Sequence, residues 1–238
     1  MSISEYLGAV LEDWQQSRAE FPTNAIQGPA WPIPFFGNPA TAIVATVGVN
    51  PSSGEFAPAR RWGEVTTSRD WKLRLKNYFE PSNAPHEWFD PWRIGLALLD
   101  CSYEAGTAAH LDVSYRPTTA MLTNQNTDRP EFRKMVERDA AWFFRLLPLC
   151  PKLRVLLTMG PIVGANLQPS SLVGFLHESA PRHGFNVIHN GGFWEFWHEE
   201  SQKVLVIHEA DTPDEKCVTR RVVRNLHLHR DELRQRLA

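Results

Sequence analysis

Cysteine is scarce in this chain of 238 residues: Cys101, Cys150 and Cys217 are the only three, widely spaced and odd in number. That excludes a disulfide framework. With no Cys-x-x-Cys pair, the usual thiolate sites for zinc and iron–sulfur clusters are excluded too. Reduced, buried thiols are expected. No apolar run approaches the ~20 residues that a membrane span needs. Met1-Ser2-Ile3-Ser4-Glu5 has neither the basic region nor the apolar run of a secretory signal. A cytoplasmic location is therefore expected, with no membrane partner. Neither sign of charge dominates, with 25 Lys+Arg against 27 Asp+Glu and a net charge of -2. Such a balance excludes holding nucleic acid by bulk positive charge, though not by a local basic face. Internal repeats and low-complexity tracts are lacking. So are Gly-x-Ser-x-Gly and His-Glu-x-x-His motifs. His227 and His229 are two residues apart, a spacing that does not share a helix face, so they make a poor metal site. No metal and no cofactor are expected.

What the chain does have is 42% hydrophobic residues, 18 Pro and 9 Trp. The length suits one domain over 1–238, with an N-terminal helix and packed loop over 1–40 and a core over 41–238. A monomer is the default. Ser2 and Glu5 have capping-box spacing, and Ile3, Leu7, Val10, Leu11 and Trp14 recur on one face, which predicts a helix over 2–20. Residues 21–39 are rich in Pro, Gly and aromatics and read as a packed loop.

Residues 42–48 form a short, β-branched, almost wholly apolar run, the pattern of a strand buried on both faces. Residues 109–113, 154–159 and 203–208 repeat it, and 185–189 is a weaker edge candidate. Helical patterns alternate with these runs over 68–80, 128–147 and 212–237. Phe193-Trp194-Glu195-Phe196-Trp197-His198 is an aromatic cluster, read as core packing with a stacking surface as the alternative. Strands alternating with helices predict an α/β fold: three layers, α/β/α, around a central four-stranded, mainly parallel sheet. Ligands of such sheets bind beyond the carboxyl ends of the strands, which makes the residues there the candidates for function.

The first strand runs into Gly48-Val49-Asn50-Pro51-Ser52, where Gly48 permits a sharp exit and Pro51 stiffens the turn. Asn50 either orients a water or ligand there or makes a plain Asn-Pro turn. The second strand ends at His110-Leu111-Asp112-Val113-Ser114. An acid in an apolar strand is costly unless it is hydrogen-bonded or does chemistry. The fourth ends at His208, where an imidazole can meet a developing anion or simply pack.

Gly48-Val49-Asn50-Pro51-Ser52 followed by Trp62-Gly63-Glu64-Val65 resembles the uracil-DNA glycosylase superfamily, nearest its single-strand-selective monofunctional branch. That branch has Gly-x-Asn-Pro-Gly and then Phe-Gly-Glu-Val at nearly this spacing. The resemblance spans roughly residues 42–224. It implies hydrolysis of the N-glycosidic bond of a damaged or deaminated base in DNA, as in base excision repair. It gives Asn50 the attacking water and His208 the charge on the departing base. Trp62 becomes the stacking platform, and Gly48, Ser52 and Asp112 line the base pocket. Arg60, Arg61 and Ser114 are the candidate DNA contacts. The branch has Asn where Asp112 falls. An ionised Asp only accepts hydrogen bonds. Asp112 must then be protonated, be displaced, or meet a base with donors at that edge. A family relative that binds nucleobases without turnover, and an unrelated α/β small-molecule hydrolase, are the alternatives.

Overall fold

The computed structural model describes residues 1–20, 31–51, 65–118, 130–158, 161–163, 169–190, 193–201, 203–209 and 218–237. Helix α1 spans Ile3–Ser17. The Ser2 amide donates to Glu5 Oε2 at 2.6 Å and the Glu5 amide to Ser2 Oγ at 3.2 Å, the reciprocal box that the sequence predicts. Of the predicted packed loop, residues 31–39 are described. Trp31 Nε1 donates to the Val65 carbonyl, and Ile33, Phe35 and Phe36 are buried. Phe35–Phe36 is strand β1.

The apolar runs become strands: β2 is Val44–Gly48, β3 Ala108–Asp112 and β4 Val155–Thr158. Pro161–Val163 (β5) and Pro169–Ser171 (β6) form a separate two-stranded sheet. Phe185–Asn190 (β7), Phe193–His198 (β8) and Lys203–Glu209 (β9) complete the set. The remaining helices are α2 Ser68–Lys76, α3 Asp90–Ala97, α4 Pro130–Leu146, α5 Leu172–Ser179 and α6 Val218–Leu237. Thr67 caps α2 by accepting from the Asp70 amide. Asp128 and Thr212, where the last two helical patterns begin, lie outside the described residues.

The main sheet has seven strands in the order β1-β3-β2-β4-β9-β8-β7, against the four expected. β2 pairs in parallel with β3 on one side and β4 on the other, and β4 pairs in parallel with β9. The three further strands are the antiparallel edges, and two of them, β1 and β8, are unexpected. β1 is two residues long and has no periodicity to read. β8 lies inside the aromatic cluster, whose Phe193 and Phe196 are buried. β7 is the edge strand that residues 185–189 suggested. All residues of β2, β3 and β4 are buried, so both faces of the centre are covered. α6 lies against α3 and is tied further by Arg234 to Asp100 at 2.7 Å and Arg236 to Glu195 at 2.5 Å.

Topology selects one place on this sheet. The chain leaves β2 for β3 on one side and leaves β4 for β9 on the other. Connections that depart in opposite directions from adjacent parallel strands open a crevice at their carboxyl ends. Gly48 and Asn50 stand at that point.

Candidate functional site

The register aligns Gly48 with Asp112, the last residues of β2 and β3. The pairing then continues, because the Val113 amide donates to the Gly48 carbonyl and the Ser114 amide to that of Val49. Asn50 is thus delivered to the mouth of the sheet by a bonded segment. Its Nδ2 donates to the Thr118 hydroxyl at 3.0 Å, the Pro51 carbonyl at 3.0 Å and the Arg116 carbonyl at 3.3 Å. Three acceptors around one nitrogen fix which end of the carboxamide is which. The other end, Oδ1, has no donor among the described residues.

Asp112 is 3% exposed, and among the described residues neither carboxylate oxygen has a hydrogen-bond partner. The His110 Nε2 atom stands 3.4 Å from Oδ1 as its nearest counter-group. Burial pushes the Asp112 carboxyl above the usual carboxylate range, and His110 only partly opposes this. Gly48 makes the arrangement possible. A Cβ at that position would lie 2.9 Å from Asp112 Oδ1 and 3.2 Å from His110 Nε2. The glycine is therefore needed for close approach; the sharp exit expected there is not made, because its φ is not left-handed and the pairing with β3 runs on past it.

His110 also faces inward along the strand. Its Nδ1 is 2.9 Å from Thr46 Oγ1, and Thr46 Oγ1 is 2.6 Å from the Tyr103 hydroxyl. Phe36 stacks near the imidazole, while Trp88 and Phe89 meet it edge-on at 5.2 and 5.1 Å. Thr46, Tyr103 and His110 were not singled out from sequence. The signal was present: His110 lies two before Asp112 and Thr46 two before Gly48, the spacing that keeps strand residues on one face.

Behind Asn50 lies a second buried network. Arg116, whose carbonyl holds Asn50, is fully buried. Its Nε donates to Asp139 Oδ2 at 3.0 Å, with both side chains at 0% exposure. Ser114 Oγ donates to Asp139 at 2.7 Å, and Arg116 reaches Ser17 and the Tyr115 hydroxyl at 2.6 Å. Arg138 holds Asp13 of α1 with two nitrogens, at 2.8 and 2.9 Å. Burial pushes the Asp139 carboxyl up to about 6, against the pull of Arg116, Ser114 and Arg138. Asp13 also feels burial, but the hydrogen bonds from Arg138, Tyr115 and Trp142 outweigh it and hold Asp13 below the usual range.

The expected site thus divides. Gly48, Asn50 and Asp112 come together. Ser114 does not act as a surface contact: it is fully buried, and its hydroxyl is committed to Asp139. His208 lies one residue short of its strand's end. The register places it in the row of Leu157, Thr46 and His110, two rows below Gly48 and Asp112, and Glu209 is the terminal residue. Ser52, Arg60, Arg61 and Trp62 lie outside the described residues, as does the acidic stretch 210–217. Among the described residues there is no cluster of His, Cys, Asp and Glu able to hold a metal, and no helix long and apolar enough to cross a membrane. No protein-family model matches this chain, and no curated protein matches it.

Proposed function

We propose that this chain is a uracil-DNA glycosylase-like hydrolase of a damaged or deaminated base in DNA, built as a three-layer α/β/α domain around its parallel strands. The observation that carries this reading is the alignment of Gly48 with Asp112 at the topological switch point. Two residues further on is an Asn50 whose amide nitrogen is committed and whose Oδ1 has no donor among the described residues.

In this reading Asn50 Oδ1 accepts a hydrogen bond from a water and aims it at the anomeric carbon of an extruded nucleotide. The water oxygen bonds to that carbon, and the glycosidic C–N bond breaks with its electron pair leaving on the base. The water's proton passes to the base or to solvent. Asp112 reads the base edge, and His208 steadies the negative charge on the base. Trp62 is the stacking platform, while Arg60 and Arg61 meet phosphates.

The test is release of the base. Single- and double-stranded oligonucleotides carrying uracil, hypoxanthine, xanthine or hydroxymethyluracil are incubated with the protein, and abasic sites are counted. Release that falls at least about a hundredfold in both Asn50→Ala and His208→Ala is the expected result. Tight binding with no release assigns the chain to nucleobase binding without turnover. The absence of both binding and release contradicts the proposal.

A further inference from the structure

The buried chain Tyr103–Thr46–His110–Asp112 has a direction, and it can be worked out from its far end. The Tyr103 phenol is fully buried, and burial pushes its ionisation far above the usual value, so it keeps its proton. Among the described residues, Thr46 Oγ1 is that hydroxyl's one hydrogen-bond partner. A buried O–H with a single partner donates to it. Thr46 has then accepted, and its own proton has two destinations, His110 Nδ1 at 2.9 Å or the Ala109 carbonyl at 3.5 Å. The shorter contact wins. His110 Nδ1 is therefore an acceptor. A neutral imidazole with an accepting Nδ1 carries its hydrogen on Nε2. That nitrogen is the one facing Asp112 Oδ1 at 3.4 Å.

We infer that Tyr103, Thr46 and His110 are positioning residues that fix the proton of Asp112 on Oδ2, so that this acid presents a donor beside an acceptor and selects a lactam edge. Oδ1, 3.4 Å from His110 Nε2, is the oxygen nearer an N–H and takes the accepting role; Oδ2 has no such neighbour among the described residues and takes the hydrogen. The carboxyl then offers the pair of groups that an Asn offers. It matches a ring carbonyl next to a ring N–H, as in uracil, xanthine or hypoxanthine. It opposes an amino group next to an unprotonated ring nitrogen, as in cytosine. The surroundings favour the neutral acid. Phe35 and Phe36 on β1 and Gly48 on β2 bring no charge, and among the described residues His110 is the one titratable group acting on Asp112. The inference rests on the nucleobase reading of this site.

The test uses the full chain with 15N-labelled histidine and long-range proton–nitrogen correlation. The expected spectrum gives His110 a protonated Nε2 and an accepting Nδ1. Tyr103→Phe should convert it to a mixture of tautomers. Thr46→Val, with the same shape and no hydroxyl, gives the same readout should Tyr103→Phe fail to fold. A protonated Nδ1 in the unaltered protein, or a spectrum indifferent to both substitutions, overturns the relay. Uracil, 2′-deoxyuridine and cytosine are then titrated in by calorimetry between pH 5 and 8.5. The lactam ligands should bind better than cytosine and lose about tenfold in affinity per pH unit once Asp112 ionises. Asp112→Asn should bind them with no such pH dependence. A preference for cytosine, or flat binding in the unaltered protein, overturns the lactam assignment. If the tautomer is as expected and no base binds, it is the nucleobase reading that fails, taking the lactam assignment with it.

Discussion

Asp112 carries an energetic cost that single substitutions can expose. A buried carboxyl with unpartnered oxygens costs stability when ionised, on the order of 1–3 kcal/mol or more for a charged group. Its folded value is raised above an unfolded value of about 3.9, so between the two the folded state binds more protons. Stability contributed by the neutral acid is present at low pH and lost as pH rises through that window. Asp112→Asn should therefore raise the unfolding free energy at pH 8 by about 1–3 kcal/mol and change it little at pH 4. Urea titrations at the two pH values measure this, and an equal effect at both contradicts it. Gly48→Ala should cost about 1–3 kcal/mol, because its Cβ would meet Asp112 and His110. Much of that loss should vanish in an Asp112→Ala background. A double-mutant cycle with strictly additive losses would show that the contact is not the cause. At this scale the sequence disclosed Gly48, Asn50 and Asp112, since a turn signal and an acid in an apolar strand are local anomalies. It hid the commitment of Ser114 to Asp139, because that bond joins residues 25 apart on different elements.

Elements α1 and α4 and the segment after β3 are joined by charge as well as by packing. Asp139 on α4 neutralises the fully buried Arg116, and Asp13 on α1 takes the Tyr115 hydroxyl, Trp142 Nε1 and Arg138. Replacing such a pair wholesale with apolar residues is often neutral, but removing one partner strands the other charge at about 3–5 kcal/mol. Asp139→Ala is expected to cost that much in denaturant unfolding. It should also lower the activity of any fraction that folds, because the Arg116 carbonyl positions Asn50. A loss below ~1 kcal/mol would mean that the pair is structurally idle. The elements themselves were legible in proportion to their periodicity. The four β-branched runs became β2, β3, β4 and β9 within a residue or two at each end. Helices α3 and α5, eight residues each, and the two-residue β1 are too short for a period to stand out. They are held by tertiary contacts such as Phe36 against Tyr78, with ring centroids 3.8 Å apart.

Across the whole molecule, the order β3-β2-β4-β9 follows from sequential parallel strands with a single reversal between β3 and β4, which puts the switch point at the adjacent strands β2 and β4. Parallel strands and a site at their carboxyl ends could be anticipated from alternating apolar runs and helices. The antiparallel extension on both edges could not, because nothing local in the aromatic cluster fixes its partner. Under the proposed reading, the net charge of -2 leaves DNA to be held by local groups, so affinity should fall with added salt by a slope of only a few ions. A fitted slope near ten would point to a broad basic face instead. The central claim is that a nucleobase in DNA is read at the ends of β2 and β3. Backbone amide chemical shifts, followed while a uracil-containing single-stranded oligonucleotide is added, test it most directly. The account predicts that the largest changes centre on Gly48, Val49, Asn50, Asp112 and Val113, and that they are absent with the matching thymine-free, uracil-free strand. Changes confined to other parts of the sheet, or equal changes with both strands, would contradict it.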